Sequence, residues 1–257
     1  MPADPPPPDI LCRGLAKVFA GGVEVLSPLD VALAAGQTTA LVGPSGCGKS
    51  TLLRLIAGLE DPSAGSILIG GETPDHMRRQ AAISVAFQDP SLLPWRSLRG
   101  NIALGRKLAH LPADQALVDR LIRLVGLAGF EATRPAALSG GMRQRAAIAR
   151  ALASAPRLLL LDEPFGAVDE LTRRQLALDL PPLWQERGTT TLLVTHSVSE
   201  AVFLADRILV LSPRPARIVA DIAVPLPHPR RADLADSDGF HDLAVQVSTA
   251  LARGVAA

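Results

Sequence analysis

The segment GPSGCGKST at residues 43–51 constrains the fold of this 257-residue chain more than any other feature. The preceding run TTALVG at 38–43 predicts a buried strand, and KSTLLRLIAG at 49–58 predicts a helix that ends at Gly58. The segment satisfies the pattern G-x-x-x-x-G-K-[ST], whose glycines let successive backbone N–H groups surround phosphate oxygens at a helix N-terminus. The chain is therefore predicted to be an α/β protein that binds a nucleotide through its phosphates.

Each residue of this loop has an expected contact. The backbone would cradle the phosphates through six residues, which are Gly43, Pro44, Ser45, Gly46, Cys47 and Gly48. Lys49 would bring a compact positive charge to the β- and γ-phosphates, Ser50 would coordinate Mg²⁺ through its hydroxyl, and Thr51 would contact the α-phosphate. Cys47 occupies a variable position of the pattern, so we interpret its side chain as structural. The alternative, a glycine-rich turn without a ligand, is disfavoured because the full pattern stands between a predicted strand and a predicted helix.

Two acidic residues follow the apolar run LLLL at 158–161. Ligands gather at the carboxyl ends of strands in α/β sheets, so Asp162 is expected beside the phosphate loop, where it would hold Mg²⁺ through water. Glu163 would orient and deprotonate an attacking water. Alone, these residues would be an ordinary charged loop. Together with the phosphate loop they predict a nucleotide-hydrolysing site.

Strand-like and helix-like runs alternate along most of the chain. Further strands are predicted at 65–71, 81–88, 157–162, 189–196 and 207–212. This alternation is typical of a largely parallel sheet with helices on both faces. The stretch from about 97 to 155 is helical throughout, which predicts a helical subdomain inserted into one fold. Pro181 and Pro182 predict a break or a kink in a later helix, just before Pro181.

A second glycine-rich segment, LSGGMRQR at 138–145, stands at the head of a predicted helix. Ser139 could be an ordinary helix N-cap, followed by glycines that merely loosen the turn. Glycine within a helix, however, costs about 0.5–1 kcal/mol relative to alanine. A second exposed phosphate-binding helix terminus would explain why both glycines are present.

The ordered set of motifs resembles the ATP-binding cassette of ABC transporters. The matching elements are GPSGCGKST, Gln88, LSGGMRQR, LLLLDEP, GAVD and VTH, and the likeness spans about residues 9 to 220. It implies a P-loop NTPase (RecA-like) core with an N-terminal antiparallel β subdomain and an inserted α-helical signature subdomain. It also implies a homodimer that closes head-to-tail around two ATP molecules, each held between one phosphate loop and the signature of the other subunit.

The resemblance implies roles for residues outside the phosphate loop. In trans, the γ-phosphate would be contacted by the signature residues Ser139, Gly140 and Gly141. Gln88 would report on Mg²⁺ and water, His196 would hold the γ-phosphate, and Asp169 would communicate across the dimer. Phe19 aligns with the aromatic residue that stacks on adenine. The expected catalytic set is Glu163, His196, Gln88 and Lys49, and the expected metal set is Ser50, Gln88 and Asp162.

Three departures from the family pattern concern local geometry. Ser197 stands where the family usually has Asp, GAVD at 166–169 replaces a commoner Leu-containing form, and Pro181-Pro182 interrupts a usually continuous helix. None of them removes a catalytic group. ATPase activity is therefore still expected.

The segments LLPWRSLRGNI at 92–102 and DEPFGAVDELTRR at 162–174 resemble importer cassettes of the nitrate, sulfonate and taurine type. The chain is expected to be the ATPase subunit of an importer for a small anion. It would bind integral membrane permease subunits at the cytoplasmic face of the membrane, and an extracytoplasmic binding protein would act indirectly. The same group includes uptake systems for thiamin pyrimidine precursors and for aromatic acids, so the cassette says little about the substrate.

Three regions are expected: a disordered Pro-rich lead-in at 1–8, an ATP-binding domain at 9–225 with its helical subdomain at about 90–155, and a tail with a helix at 226–257.

No signal-like start or membrane-length apolar run is present, which favours a cytosolic chain. The net charge of +1 argues against a general nucleic-acid binder.

A non-transport cassette acting on nucleic acid or the ribosome is the alternative from a different class. Such proteins usually carry two cassettes, a coiled-coil insertion or a zinc module, and the sequence shows none of these. A P-loop kinase or a GTPase would not need the LSGGMRQR segment. A GTPase should also have the guanine-reading Asn-Lys-x-Asp pattern, which is missing from the sequence.

Leu92, Leu93 and Trp95 form an apolar cluster in a predicted loop after Asp89-Pro90. Burying a Leu side chain is worth roughly 1.5–3 kcal/mol, so an exposed cluster would indicate a partner. One interpretation is that the cluster packs onto the helical subdomain. The other is that part of it lines a groove that receives a short coupling helix from the membrane subunit.

Overall fold

The computed structural model describes residues 6–256. Its strands are, in chain order, β1 (Ile10–Phe19), β2 (Val23–Leu33), β3 (Thr38–Val42), β4 (Ala64–Ile69), β5 (Ile83–Ala86), β6 (Leu158–Asp162), β7 (Thr190–Val194), β8 (Arg207–Leu211) and β9 (Ile218–Ala223). Its α-helices are α1 (Lys49–Ile56), α2 (Pro74–Arg79), α3 (Leu98–Leu108), α4 (Gln115–Leu124), α5 (Gly140–Ala153), α6 (Glu170–Asp179), α7 (Pro181–Gln185), α8 (Val198–Leu204) and α9 (Asp238–Ala256). Short 3₁₀ turns lie at Pro135–Ala137 and Ala232–Asp236.

A six-stranded sheet with the order β5-β6-β7-β3-β8-β9 forms the core. Its strands pair in parallel except β9, which runs antiparallel to β8. Every residue of β3, β6 and β7 is buried, as expected for strands covered on both faces. The register aligns Val194 with both Leu41 and Asp162, so these three strands end at one edge of the sheet. That edge carries the phosphate loop and the two loops that follow β6 and β7.

The smaller sheet has the order β2-β1-β4 and is antiparallel throughout. It packs its buried face against α1 and the core sheet in a second apolar cluster that includes Leu15, Leu26 and Leu53. The expected fold class, a RecA-like α/β core with an antiparallel β subdomain and an inserted helical subdomain, is confirmed.

The helical insertion lies between β5 and β6 and consists of α3, α4, α5 and a 3₁₀ turn. Helices α3 and α5 cross closely at Gly105. A Cβ atom placed on this residue would lie only 2.2 Å from the carbonyl oxygen of Arg150, so the crossing requires glycine there. The insertion is amphipathic: residues such as Ile102, Leu121 and Ile148 are buried in the larger apolar cluster. Helix α5 thereby receives a fixed position relative to β5 and the residues that follow it.

The expected break before Pro181 is confirmed. Helix α6 ends at Asp179 and α7 begins at Pro181, with Leu180 between them. Proline at the first position of α7 needs no hydrogen-bond donor, which is why the chain restarts a helix there. The new helix buries Trp184, whose Nε1 donates to the hydroxyl of Thr38 at 3.3 Å.

Both ends of the described chain contact the core sheet. The carbonyl oxygen of Pro8 accepts a 2.6 Å hydrogen bond from the hydroxyl of Thr190, and that of Pro6 accepts one from Arg157 at 2.7 Å. Residues 1–5 of the expected disordered lead-in lie outside the described part of the chain. In the tail, α9 packs against α8 and β8, and Val247 is fully buried.

Candidate functional site

The phosphate loop connects β3 to α1 in the conformation that an anion nest requires. Gly46 has φ +72° and Gly48 has φ +125°, values that side-chain-bearing residues rarely adopt. A Cβ atom on Gly48 would also lie 2.9 Å from Cγ1 of Val25 in β2. Glycine is therefore required at residue 48 by both backbone conformation and space. Ser45 and Gly46 are exposed, whereas Cys47 is buried beneath the loop.

Lys49 is a buried cation with neutral partners. Its side-chain nitrogen donates to the carbonyl oxygens of Gly43 at 2.8 Å and Pro44 at 2.9 Å, and the residue is only 5% exposed. Within the described part of the chain, Lys49 forms no ion pair. Burying a charge without a counter-charge is costly, and a phosphate group in the nest would supply that counter-charge. The loop therefore fits the anion predicted from its sequence.

Ser50 and Asp162 meet across the edge of the sheet. The Ser50 hydroxyl donates to Oδ1 of Asp162 at 2.9 Å, and Asp162 is 3% exposed. Burial raises the pKa of the Asp162 carboxyl, and the hydrogen bond from Ser50 opposes that rise. A hydroxyl and a carboxylate are the oxygen ligands that Mg²⁺ prefers when phosphates complete its shell. Residues 6–256 hold no group of three His, Cys, Asp or Glu side chains arranged to bind a metal.

Three side chains from three loops converge beside this pair. Oε2 of Glu163 accepts a hydrogen bond from Nε2 of Gln88 at 3.3 Å and lies 3.4 Å from Nδ1 of His196. Glu163 follows β6, Gln88 follows β5, and His196 follows β7. The backbone of Glu163 has φ +47°, an uncommon value for a residue with a side chain, and strain of this kind clusters at functional sites.

The signature segment begins α5 and faces outward. Ser139 caps the helix, its hydroxyl accepting from the N–H of Met142 at 3.2 Å, and both Ser139 and Gly140 are exposed. Gly141 approaches the loop after Glu163: a Cβ atom there would lie 2.8 Å from the carbonyl oxygen of Ala167. Among residues 6–256 no hydrogen bond joins the signature to the phosphate loop of the same chain. The structure thus does not bring these two predicted phosphate-binding segments together within one chain.

Three other predicted residues take the following places. Asp169 caps α6 by accepting from the N–H of Thr172 at 3.0 Å. Hydrogen bonds from the backbone and side chain of Thr172 lower the pKa of the exposed Asp169 carboxyl. Thr51 is half-buried on the first turn of α1. Phe19 ends β1 with 38% of its surface exposed, and the Lys17 ammonium lies 4.8 Å from its ring centroid. The ring is accessible to a planar partner.

Several residues that hold these loops were given no role by the sequence motifs, although one of them, Gln144, lies within the LSGGMRQR segment. Gln144 is buried in α5 and donates to the carbonyl oxygen of Phe87 at 3.2 Å. Arg150 donates to the carbonyl oxygens of Ser91 at 2.8 Å and Pro90 at 2.9 Å, so the residues around Gln88 are tied to the signature helix. Arg214 donates to the carbonyl oxygen of Gly46 in the phosphate loop. An arginine beside a helical apolar pattern carries no sequence signal for such contacts.

The family model described as "ABC transporter" matches residues 26–166. The chain belongs to the ABC transporter family. This cassette is 49% identical over 219 residues to the aliphatic sulfonates import ATP-binding protein SsuB 2 of Pseudomonas aeruginosa (strain UCBPP-PA14), which covers 85% of this chain and 76% of that protein. It is also 49% identical over 223 residues to the SsuB protein of Escherichia coli O6:K15:H31, which covers 86% of this chain and 84% of that one.

The fold of the cassette is similar to that of solved cassettes. A dimeric post-hydrolysis state of the ATP-binding cassette MJ0796, bound to ADP and Pi, superimposes with a TM-score of 0.77 at 27% identity, covering 85% of this chain and 100% of that one. The assignment to the ABC transporters from sequence motifs is confirmed, as is the expectation of an ATP-binding ATPase whose hydrolysis is coupled to transport. In the described part of the chain, every helix is too short or too polar to cross a membrane.

Proposed function

We propose that this cassette energises the import of aliphatic sulfonates across the cytoplasmic membrane. The observation that carries the substrate class is the identity of 45–49% to several proteins whose names specify aliphatic sulfonate import. This choice narrows the sulfonate, taurine and nitrate group expected from the sequence. Gln88 and His196 both lie close to Oε2 of Glu163, and this arrangement supports hydrolysis as the chemical step.

We assign roles to the side chains at the sheet edge as follows. Lys49 exchanges its two carbonyl partners for phosphate oxygens, and the loop amides bind the remaining charge. Ser50 and Asp162 would hold Mg²⁺, which when bound neutralises phosphate charge. Glu163 accepts the proton of the attacking water at Oε2, Gln88 orients that water, and His196 donates a hydrogen bond to the γ-phosphate.

We propose that the complete site forms between two copies of the cassette. The signature faces outward on α5, and no hydrogen bond within the described residues joins it to the phosphate loop of its own chain. A second copy turned head-to-tail would place its Ser139, Gly140 and Gly141 N–H groups on the γ-phosphate. Asp169 and the 81% exposed Leu171 lie in the loop and first turn that would face the partner. The solved MJ0796 cassettes are dimeric, which supports a dimer of this cassette by similarity.

A groove between the core and the helical subdomain is the proposed docking surface for the permease. It has a volume of about 370 Å³ and is lined by residues of β5, α3 and α5, among them Leu108 and Arg150, and by Phe87 just after β5. Two lining leucines are exposed, Leu108 by 64% and Leu59 by 46%. Arg150 also holds the loop after Gln88, so an occupant of the groove would contact a residue tied to the catalytic side. An amphipathic helix at a cytoplasmic surface of the permease fits this chemistry.

The apolar cluster after Gln88 divides between the two interpretations. Leu92 is partly buried and packs against the larger core cluster. Trp95 is 68% exposed. The residues that line the groove do not include Leu92, Leu93 or Trp95. We therefore propose that Trp95 is a peripheral contact beside the groove, and that the cassette is held at the cytoplasmic face of the membrane by this surface.

The test is affinity purification of the tagged cassette, followed by reconstitution of the recovered complex in lipid vesicles. The proposal expects a co-purified permease and ATP hydrolysis that rises when the binding protein is loaded with ethanesulfonate. Stimulation by nitrate or a thiamin pyrimidine precursor instead would overturn the substrate class but leave the importer standing. Recovery with nucleic acid or ribosomes and without a permease would overturn the importer.

A further inference from the structure

A second set of polar contacts lies behind the catalytic loops. Arg173, on the first turn of α6, donates from Nη2 to the carbonyl oxygen of Val168 at 3.1 Å. Its Nε lies 3.5 Å from Oε1 of Glu200 on α8, and its Nη1 lies 3.5 Å from Oε2 of Glu170. Val168 belongs to the loop that begins at Glu163. Arg173 therefore joins that loop to α8.

Glu200 continues the chain of contacts to the loop that carries His196. Its Oε2 accepts a 2.6 Å hydrogen bond from the hydroxyl of Thr195, and the same hydroxyl oxygen accepts from the N–H of Ser197 at 3.0 Å. The N–H of Glu200 donates to the hydroxyl of Ser197 at 3.2 Å. The residues before and after His196 are thus both anchored to the first turn of α8.

These contacts close a ring around the catalytic edge. At the front, Oε2 of Glu163 lies 3.4 Å from Nδ1 of His196. At the back, the two loops are joined through Arg173 and Glu200. The back of the ring is enclosed by the protein, since Thr195 is 1% exposed and the Glu200 side chain 11%.

Because Glu200 is enclosed, the contact at the back of the ring needs the positive charge of Arg173 as well as the carboxylate of Glu200. Burial raises the pKa of the Glu200 carboxyl, and the hydrogen bond from Thr195 and the charge of Arg173 oppose the rise. Removing Arg173 would leave the enclosed Glu200 carboxylate without its cationic partner, so the Glu200 side chain would seek a new position. The N-cap Ser197 is uncharged, so it adds no second carboxylate beside Glu200.

We propose that Arg173 and Glu200 are positioning residues for ATP hydrolysis, which set the separation of Glu163 and His196 by joining the loops that carry them. Neither side chain contacts the phosphate loop; each acts through a neighbour, Arg173 through Val168 and Glu200 through Thr195. The proposal rests on the proposed roles of Glu163 and His196. It predicts that the ring controls the chemical step and leaves nucleotide binding to the phosphate loop.

The test measures steady-state ATP hydrolysis and equilibrium ATP binding of the full-length cassette with Arg173→Met, Glu200→Gln and Arg173→Lys. Displacing a reacting group by up to about 1 Å lowers the reaction rate by as much as about a hundredfold. We therefore expect kcat to fall about tenfold or more in Arg173→Met and Glu200→Gln. KM and the ATP dissociation constant should stay within about twofold. Arg173→Lys keeps the charge but has one nitrogen where arginine reaches Val168 and Glu200 with two, so it should recover only part of kcat. The double variant should be no slower than the slower single variant, because the two residues act as one unit.

A matched control separates positioning from loss of a surface ion pair. Arg207 has the same 26% side-chain exposure as Arg173 and pairs with Asp221 at 2.6 Å, but it begins β8 at the opposite end of the strands. Arg207→Met should leave kcat unchanged at a temperature well below its unfolding midpoint. A fall in kcat for Arg207→Met equal to that for Arg173→Met would overturn the proposal, as would unchanged kcat in both Arg173→Met and Glu200→Gln.

Failure of the positioning proposal is distinguishable from failure of the proposed site. Glu163→Gln and His196→Ala are measured in the same assay. If both lose turnover while Arg173→Met and Glu200→Gln retain it, the ring is merely structural and the site stands. If Glu163→Gln itself turns over normally, the assignment of the site is wrong and the positioning proposal falls with it.

Discussion

Replacing Glu163 with glutamine is the sharpest single perturbation of the proposed chemistry. Glutamine matches glutamate in shape and can still accept the 3.3 Å hydrogen bond from Gln88 through its amide oxygen. It cannot take a proton from water, and it removes the charge that faces His196 at 3.4 Å. The backbone at φ +47° is unaffected, because glutamine meets the same steric restriction as glutamate.

The expected effect is large on turnover and small on binding. General-base catalysis contributes about 10²–10⁴-fold, so kcat should fall by that factor, or about 3–5 kcal/mol in the activation free energy. ATP affinity should be retained or rise, because one negative charge near the γ-phosphate is lost. Phosphate release measures kcat, and equilibrium binding of labelled ATP measures the ATP affinity.

A control glutamate separates base catalysis from a general charge effect. Glu72 is 57% exposed, lies between β4 and α2, and should tolerate glutamine without loss of turnover. In gel filtration, the Glu163→Gln chain with ATP should elute as a stable dimer, since nucleotide is bound but not hydrolysed. Turnover of Glu163→Gln within about threefold of the wild type would refute the assignment of the base, since that is only about 0.7 kcal/mol.

Two further changes test the metal site and the docking surface. Burial raises the pKa of Asp162 in the folded protein above its ordinary value of 3.8. As the pH falls from that raised pKa toward 3.8, the folded protein binds a proton that the unfolded chain does not yet bind. The free energy of unfolding of the wild type should therefore rise relative to that of Asp162→Asn. Denaturant unfolding without Mg²⁺ or nucleotide measures this difference, and a pH-independent difference would contradict it. Trp95→Ala should leave the ATPase of the isolated cassette within about twofold, because the side chain is 68% exposed, yet weaken permease binding about tenfold. Unfolding of Trp95→Ala, or unchanged permease affinity, would contradict the contact.

The parts of the site that sequence could predict are those set by local chemistry. The phosphate loop needs glycines at fixed spacing before a helix, so Gly48 and Lys49 follow from the pattern alone. Parallel strands end at one edge, which is why the sequence already places Asp162 and His196 beside the loop. The break before Pro181 follows from the missing donor of proline.

The remaining parts depend on tertiary placement. Arg173 and Glu200 are distant in sequence, and only the packing of α6 beside α8 brings them within 3.5 Å. The left-handed backbone of Glu163 has no marker in its residue type. The S-x-x-E spacing of Ser197 and Glu200 is a readable helix-start signal, but it does not reveal that the carboxylate turns to Thr195.

The apolar cluster after Gln88 shows the same limit. Its residue types left open whether Leu92 and Trp95 pack internally or contact a partner, whereas the structure packs Leu92 on the core and exposes Trp95. The difference arises from the loop path, which the side chain of Asn101 fixes by accepting from the N–H of Leu93 at 2.7 Å. A loop path that is set by a side chain from the following helix cannot be predicted from hydrophobic periodicity.

Mixing two inactive chains would decide whether the ATP site is shared between two copies of the cassette. One chain carries Ser139→Arg and the other Glu163→Gln, so a head-to-tail heterodimer has one site with every group intact. A shared site predicts an ATP-dependent heterodimer that hydrolyses ATP although neither chain does so alone. For random mixing with independent sites, turnover should reach about a quarter of the wild-type value. A mixture that forms no ATP-dependent heterodimer, or that stays as inactive as its components, would contradict the shared site.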